Sequence, residues 1–293
     1  MMKVAVSSYS FSQKLNAGEL TQFDCIAKAR EMGFDAIEFV GIQPHDGSTA
    51  EEYAKKLGEE CRRLQMPVSN YTVGAEFMKE DGAKLDEEVE RLKKEVDIAV
   101  LLGAVSMRHD ATYGYPEGTR GYRGFDDCLP VIAEGFRRVT EYAQTKGVRT
   151  MVENHGTFCQ DSDRVEKLVN RVAHPNFGLL NDMGNFLCAD EDPAKAIGRV
   201  APYAFYVHAK DFHVKTPMEP NPGQGFFRSR SGCYLRGAII GHGDVPVKHC
   251  LMALKRAGYD GYVALEFEGM EDAYKGLAIG LENLRRYISE IEE

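Results

Sequence analysis

The chain has 293 residues, a net charge of −9 and seven cysteines, and 43% of its residues are hydrophobic. The acidic balance argues against a nucleic-acid partner, because the nearest basic patch, residues 228–236, is short. No two cysteines have the CxxC spacing of a thiolate zinc site, and no apolar run reaches the length of a membrane span. Residues 1–6 enter a strand directly, without the features of a signal peptide. We therefore expect a reduced, cytoplasmic protein without a membrane partner.

Strands and helices are predicted to alternate along the chain. The predicted strands cover residues 3–8, 35–40, 67–72, 104–108, 149–153, 177–182, 204–208 and 262–266. The predicted helices cover residues 21–32, 48–64, 86–102, 126–146, 162–172, 247–257 and 272–291, and one more begins near residue 192. Parallel strands need such crossover helices. Eight repeats in a chain of this length favour one α/β domain over residues 1–293, a closed (β/α)8 or TIM barrel rather than an open sheet.

Two segments that follow strands are longer than ordinary connections. Residues 111–124 are rich in glycine and tyrosine, and residues 212–243 contain three prolines and six glycines. We predict both to be irregular loops on the face that holds the strand ends, where loops of this length usually carry function. Tyr9, Tyr113 and Tyr115 either form an aromatic wall for a sugar ring in this region or pack the loops.

Four consecutive predicted strands end on side chains that can bind metals. These residues are Glu153, Asp182, His208 and Glu266. The C-terminal strand ends of a parallel barrel meet on one face, where such barrels build their active sites. One imidazole among three carboxylates suits Mn²⁺, Mg²⁺ or Co²⁺ more than a structural Zn²⁺, although zinc remains open. The strand ends therefore predict one divalent ion per chain, with Mn²⁺ as the first choice.

Other polar residues near the strand ends are candidates for catalysis or substrate binding. His155 follows Glu153 by two residues and points the same way on a strand, so it is a candidate acid or base. The candidates for substrate binding are Arg108, His109, Lys210, His213, Asn185, Glu38 and Tyr9. Each of them, taken alone, also fits an ordinary structural role, such as a surface ion pair, a loop cap or a core histidine with its partners satisfied.

Several motifs resemble those of a known family. They are Val152-Glu153-Asn154-His155-Gly156, Asn181-Asp182, Tyr206 to Asp211, Gly241 to Asp244, Gly258 to Gly261 and Leu265-Glu266. Over essentially the whole chain they resemble the xylose isomerase-like TIM barrels, also called the sugar phosphate isomerase/epimerase superfamily. The resemblance implies that a metal held by the four strand-end residues polarises the carbonyl of a keto-sugar or cyclitol. It also implies that Glu153 and Glu266 move protons to and from an enediolate.

The motifs depart in detail from those of the ketose 3-epimerases in that family. Where these epimerases carry glutamate, histidine and arginine, this chain has Cys159, Asn185 and Val214. The position of His155 is instead similar to that in inosose dehydratase-like members. The first expectation is therefore a metal-dependent sugar isomerase or epimerase. The second is a lyase, which dehydrates a keto-inositol or eliminates a group from a 3-keto-glycoside.

Two further interpretations belong to other classes of protein. Endonuclease IV-like DNA repair enzymes build a three-zinc site from several histidines, whereas this chain is acidic and has only eight histidines in all. A sugar-binding barrel without catalysis is opposed by the intact glutamates at the strand ends.

We further predict a homo-oligomer, either a dimer or a tetramer.

Overall fold

The computed structural model describes residues 2–292, which form a closed barrel of eight parallel strands. The strands in chain order are β1 (Lys3–Ser7), β2 (Ala36–Val40), β3 (Val68–Val73), β4 (Ser106–His109), β5 (Arg149–Glu153), β6 (Phe177–Asp182), β7 (Ala204–Ala209), β8 (Asp211–Lys215), β9 (Phe227–Arg228), β10 (Tyr234–Ala238) and β11 (Tyr262–Leu265). Around the barrel the order is β1, β11, β7, β6, β5, β4, β3 and β2, and β2 pairs with β1 to close it. The predicted (β/α)8 barrel is confirmed.

Helices surround the barrel. In chain order they are α1 (Ser12–Asn16), α2 (Gln22–Met32), α3 (Ala50–Arg63), α4 (Leu85–Leu102), α5 (Phe125–Thr145), α6 (Ser162–Val172), α7 (Asn185–Cys188), α8 (Pro193–Val200), α9 (Val247–Arg256) and α10 (Ala273–Glu292). Local signals set their ends: Thr21 and Asp24 form a capping box at the start of α2, and Gly33 ends it with a φ of 90°. Within residues 2–292, no helix combines the length and apolarity needed to cross a membrane.

The barrel interior is built in two layers. A small apolar cluster fills it and consists of Ala5, Ala36, Met151, Leu180, Tyr206 and Ala264. Two residues further along each strand, on the same face, the side chains become polar, and they are Ser7, Glu38, Glu153, Asp182, His208 and Glu266. The larger core lies outside the barrel, between the strands and the helices. The inner apolar layer therefore supports a ring of polar groups at the C-terminal ends of the strands.

The segment predicted as an irregular loop over residues 212–243 instead contains a small three-stranded sheet. Strands β8, β10 and β9 form an antiparallel sheet in that order, with Asp211 paired to Ala238 and Lys215 paired to Tyr234. The segment thus leaves and rejoins the barrel at neighbouring points. Residues 111–124 contain no helix or strand, as predicted.

Helices α3 and α4 approach each other closely at Gly58. A Cβ atom added to Gly58 would lie 2.6 Å from the carbonyl oxygen of Leu101 and 2.9 Å from that of Leu102. Both atoms belong to the backbone and cannot rotate away. The absence of a side chain at this position therefore sets the distance between the two helices.

Candidate functional site

Three polar side chains at the ends of neighbouring barrel strands converge on one point. Glu153 ends β5, Asp182 ends β6 and His208 lies near the end of β7, and all three are buried. One ligand atom of each lies within 4.8 Å of the other two. The Nδ1 atom of His208 is 3.6 Å from Glu153 Oε1 and 3.6 Å from Asp182 Oδ2. It has no hydrogen-bond partner among the described residues.

The spacing and charge of this cluster fit a divalent cation. Two ligand atoms placed about 2.0–2.2 Å from one ion lie roughly 3–3.6 Å apart, close to the separations found here. A buried imidazole nitrogen that makes no hydrogen bond is costly unless something else satisfies it. A metal ion would satisfy that nitrogen and balance the two carboxylates at once.

Glu38 fixes the orientation of His208. Its Oε2 atom is 2.7 Å from His208 Nε2, and its Oε1 atom accepts hydrogen bonds from Asn70 (2.8 Å) and Thr72 (2.7 Å). Nε2 therefore holds the proton and donates to Glu38, which leaves the lone pair of Nδ1 free for a metal. Sequence reasoning placed Glu38 against the substrate, but the structure buries it completely behind His208.

The acidic surroundings of His208 favour a positive charge at this point. Burial lowers the pKa of His208, but the carboxylates of Glu38, Glu266, Asp182 and Glu153 raise it well above the usual value. The same carboxylates would favour a metal cation over the proton, because a divalent ion carries twice the charge.

Glu266 and Lys210 stand together at the edge of the cluster. Glu266 Oε1 lies 3.7 Å from His208 Nδ1, while its Oε2 lies 2.5 Å from the Nζ atom of Lys210. The same ammonium is 3.1 Å from Asp182 Oδ2. Glu266 is therefore near enough to join the three converging residues, but it also forms an ion pair with the buried Lys210.

A chain of ion pairs connects Glu153 with His155. The Nε atom of Arg108 lies 2.6 Å from Glu153 Oε2, and the Nη2 atom of Arg108 lies 2.7 Å from Asp110 Oδ1. Asp110 Oδ1 is in turn 2.8 Å from His155 Nδ1. Asp110 therefore holds the imidazole by Nδ1, and the ring presents Nε2 as its other nitrogen.

The charge of Arg108 keeps both carboxylates of this chain ionised. Burial raises the pKa of Glu153, but Arg108 and then His208 lower it, and the net pKa lies well below the usual value. For Asp110, burial also raises the pKa, while Arg108 and His155 lower it below the usual value. Both groups are therefore ionised at neutral pH.

Asn185 links Glu153 with Lys210. Its side-chain amide donates to Glu153 Oε1 at 3.0 Å, and its carbonyl oxygen accepts from Lys210 at 3.2 Å. The backbone N–H of Asn185 also donates to Asp182 Oδ1 at 2.9 Å. Asn185 thus holds one oxygen of Glu153 and one of Asp182.

Two candidate histidines are not brought to the site. His109 alternates with Arg108 and Asp110 on its strand and therefore faces the helices, where its ring stacks on Phe136 at 4.3 Å. His213 lies on β8, paired with Arg236, and lines neither of the cavities described next. We do not propose either residue as a substrate ligand.

Two cavities meet over the polar residues. The first has a volume of about 760 Å³ and includes Arg108, Asp110, Glu153 and Glu266 in its lining. The second, about 490 Å³, extends towards the small sheet. The two share four lining residues, which are Tyr9, His155, Lys210 and Glu268. The candidate metal centre therefore faces the first cavity through Glu153 and Glu266, and the second cavity adjoins the first.

Sequence reasoning did not select two acidic residues that line these cavities. Asp110 orients His155, and Glu268 lies 3.9 Å from Lys210 Nζ. Each follows a selected residue, Arg108 or Glu266, by two positions. That spacing was the signal that could have found them, because alternate residues of an extended segment point to the same side.

Curated relatives of this chain include enzymes and a protein without an assigned function. The Escherichia coli protein YihM, described as uncharacterized, is 29% identical over 215 residues, or 73% of this chain and 55% of its own length. An inosose dehydratase of Clostridium perfringens is 26% identical over 47% of this chain and 46% of its own length. The chain thus spans about half the length of these two relatives. An inosose dehydratase of Geobacillus thermodenitrificans is 23% identical, over 86% of this chain and 83% of the relative.

Solved structures with the same fold include proteins described as a dehydratase and an epimerase. The probable 3-DHS dehydratase of Bacillus anthracis superposes with a TM-score of 0.72 at 17% identity, over 97% of this chain and 99% of that chain. The 3-keto-D-glucoside 4-epimerase of E. coli gives a TM-score of 0.71 at 14% identity, over 98% and 100%. A barrel from Mycobacterium smegmatis in complex with magnesium gives 0.73 at 16% identity, over 99% and 98%. These similarities show the fold. The family model described as xylose isomerase-like TIM barrel matches residues 26–287, and the chain belongs to this family.

Proposed function

We propose that the protein is a divalent-metal-dependent enzyme that removes the proton next to the carbonyl of a keto-sugar or cyclitol and returns it as an isomerase or epimerase. The observation that supports this proposal most is the convergence of Glu153, Asp182 and His208 Nδ1 beside the first cavity. Glu266, 3.7 Å from the same nitrogen, is the proposed fourth ligand. A divalent ion, when bound, supplies Lewis-acid polarisation of a substrate carbonyl.

Glu153 and Glu266 are the proposed proton carriers. They stand at the ends of β5 and β11, and β6 and β7 separate these strands in the barrel, so the two carboxylates approach the centre from different directions. Arg108 holds one oxygen of Glu153, and Lys210 holds one oxygen of Glu266. These contacts hold each carboxylate in one orientation. A proton removed by one group and returned on the other side inverts a carbon centre.

A dehydratase is the second candidate, and the geometry of His155 favours it. The ring is held by Asp110 through Nδ1 and lines both cavities. Its protonated Nε2 would give a proton to a departing hydroxyl group, which leaves as water, while a glutamate takes the proton from the neighbouring carbon. The relatives named as inosose dehydratases support this alternative.

The remaining proposals concern the ion, the assembly and the cellular location. Mn²⁺ is our first choice because oxygen ligands dominate the proposed set, and Mg²⁺, Co²⁺ and Zn²⁺ are alternatives. We also propose a dimer or tetramer in the cytoplasm that acts on small molecules and not on nucleic acid.

One experiment tests both candidates. Metal-loaded protein is incubated in D₂O with a panel of keto-sugars and inososes, and C–H exchange and products are followed by NMR. An epimerase or isomerase gives exchange with a new isomer, and a dehydratase gives a product that has lost water. A double variant, Glu153→Gln with Glu266→Gln, is the control and should be inactive on every compound. Turnover by this variant at the parent rate would refute the proposal.

A further inference from the structure

We propose that the second cavity binds a ring that is joined glycosidically to the reacting ring, so that the substrate is a glycoside rather than a free monosaccharide. The inference rests on the proposed function for the reacting part of the substrate. It concerns the aromatic side of this cavity, which the proposed chemistry does not use.

The second cavity gathers the exposed aromatic side chains of the protein. Among residues 2–292, the exposed aromatic residues are Tyr9, Tyr113, Tyr122 and Phe227, with exposed fractions of 41%, 62%, 110% and 41%. Three of these four, all except Tyr122, line this one cavity. Exposed aromatic rings around a concave site offer flat apolar faces on which another ring can stack. The first cavity shares Tyr9 with the second, and its other tyrosine, Tyr71, is only 1% exposed.

Two of these rings are held in place by their neighbours. Phe227 packs edge-on against the buried Phe212, with centroids 5.6 Å apart and an interplanar angle of 76°. The ring of Tyr113 lies over Gly156, where an added Cβ would come within 3.3 Å of it. Rings that are fixed before the ligand arrives lose little conformational freedom on binding.

Polar groups lie beside these aromatic side chains. A sugar ring requires such groups, because its hydroxyl groups need hydrogen-bond partners. Gln160 is 3% exposed, and its carbonyl oxygen accepts a hydrogen bond from the Thr157 backbone at 2.9 Å, which leaves its amide nitrogen as a donor. Arg228 lines the same cavity and is exposed. Aromatic faces with a few polar groups are typical of sites that bind small ring-shaped ligands.

The position of the cavity indicates how the two rings are connected. His155 and Lys210 line both cavities, so a ring that reacts beside them has the second cavity as its neighbour. A substituent on the reacting ring would enter the second cavity, which Tyr113 and Phe227 line. A glycosidic bond is the linkage that joins a sugar to such a substituent.

The first test measures binding without turnover. Isothermal titration calorimetry measures the affinity of the metal-loaded protein for three β-glucosides, all of which lack the reacting ketone. The methyl glucoside has no second ring, the phenyl glucoside has an aromatic ring, and the cellobiose-type glucoside has a second sugar ring. We expect at least one of the two ring-bearing ligands to bind about 3- to 10-fold tighter than the methyl glucoside, the range of one stacking contact. The ring-bearing ligand that binds more tightly identifies the type of ring that the cavity accepts.

The matched variants are Tyr113→Leu and Phe227→Leu, with Tyr122→Leu as the control, and circular dichroism verifies that each folds. The preference for the ring-bearing ligand should fall in the first two variants and persist in the control. Equal binding of all three ligands to the parent protein, or a preference that survives in both cavity variants, overturns the proposal.

The second test separates this inference from the proposed function. The 3-keto derivatives of the same glucosides are followed by deuterium exchange. A ring preference in binding without exchange of any compound would leave the subsite standing and remove the proposed function. Exchange at equal rates for the three compounds, with equal binding, would keep the proposed function and remove the subsite.

Discussion

At the scale of single residues, the contact between His208 and Glu38 makes a specific prediction about metal binding. His208→Ala removes the nitrogen that faces Glu153 and Asp182, so bound metal should be lost while the fold persists. Glu38→Gln keeps the size of the side chain but weakens its hydrogen bond with His208 Nε2. Its metal affinity should fall by about 10- to 100-fold. His249→Ala, at an exposed histidine, is the control.

Metal content after dialysis, measured by mass spectrometry, checks this prediction. Full occupancy in His208→Ala would show that the ion does not bind where we place it.

Asp110 gives a second prediction at this scale, for the case that the enzyme is a dehydratase. His155→Ala should lower kcat by about a hundredfold or more, because it removes the proposed acid. Asp110→Asn should lower kcat as well, with little change in KM, because it acts through the orientation of His155. The double variant should be no worse than His155→Ala alone, since the two residues act as a unit. Losses that multiply in the double variant would mean that Asp110 acts independently.

At the scale of elements, the packing of β4 against α5 makes folding stability depend on pH. His109 is buried against Phe136, and burial lowers its pKa to about 4. An unfolded histidine titrates near pH 6.5, so the unfolded chain takes up the proton first as the pH falls. The stabilisation is therefore fully present above pH 6.5 and is lost as the pH falls towards 4.

His109→Phe keeps the ring but removes the titration. Relative to this variant, the parent protein should lose about 1.4 kcal/mol of unfolding free energy between pH 7.5 and pH 5.5. Urea unfolding at a series of pH values measures the difference. Parallel pH profiles for the two proteins would show that His109 titrates normally in the folded state.

The contact between α3 and α4 gives another prediction at this scale. Gly58→Ala places a methyl group against two backbone carbonyls, so the helices must separate, and stability should fall by about 1–3 kcal/mol. Gly198→Ala is the matched control, because Gly198 is also helical but has no atom within 4 Å of its would-be Cβ. That change should be neutral or stabilising by up to about 1 kcal/mol. Thermal unfolding of both variants measures the two changes in stability. Equal changes in Gly58→Ala and Gly198→Ala would contradict the close approach of α3 and α4.

At the scale of the whole molecule, metal binding should stabilise the folded state. The proposed ligands lie on β5, β6, β7 and β11, so they come together only in the folded barrel. A ligand that binds only the folded state stabilises it by about 2.7 kcal/mol at a concentration a hundred times its Kd. Chelation should therefore lower the Tm of the parent protein, and added Mn²⁺ should restore it. The Tm of His208→Ala should not respond to either treatment.

The sequence predicted the barrel well because its signal repeats. Eight alternations of strand and helix mark the fold, and each strand end could be recognised from its own residues. The surroundings of a polar residue are less easily predicted. Glu38 lies in β2 at the level that Glu153 has in β5, two residues beyond the apolar layer, yet it lies behind His208 and lines neither cavity. His109 was selected beside Arg108 although alternate residues of a strand face opposite sides.

The small sheet could not be predicted because its pairing is distant in the sequence. Asp211 pairs with Ala238 across a segment that is rich in proline and glycine, and such composition favours loops. The contact of Asp110 with His155 could not be predicted for a related reason, because the two residues lie 45 positions apart, although the spacing from Arg108 indicated the side to which Asp110 points. Contacts of this kind depend on the folded arrangement and not on local pattern.

The antiparallel sheet of β8, β9 and β10 has a consequence for how this barrel can diversify. Its two ends, Asp211 and Ala238, are paired neighbours, so the segment between them can lengthen, shorten or be exchanged without shifting the register of any barrel strand. Phe227 and Arg228, which line the second cavity, lie within that segment, whereas Glu153, Asp182 and His208 do not. Part of the proposed ring-binding wall therefore lies on a segment that contains none of the proposed metal ligands. Changes in the length or sequence of this segment can alter the proposed substrate range without altering the proposed metal site.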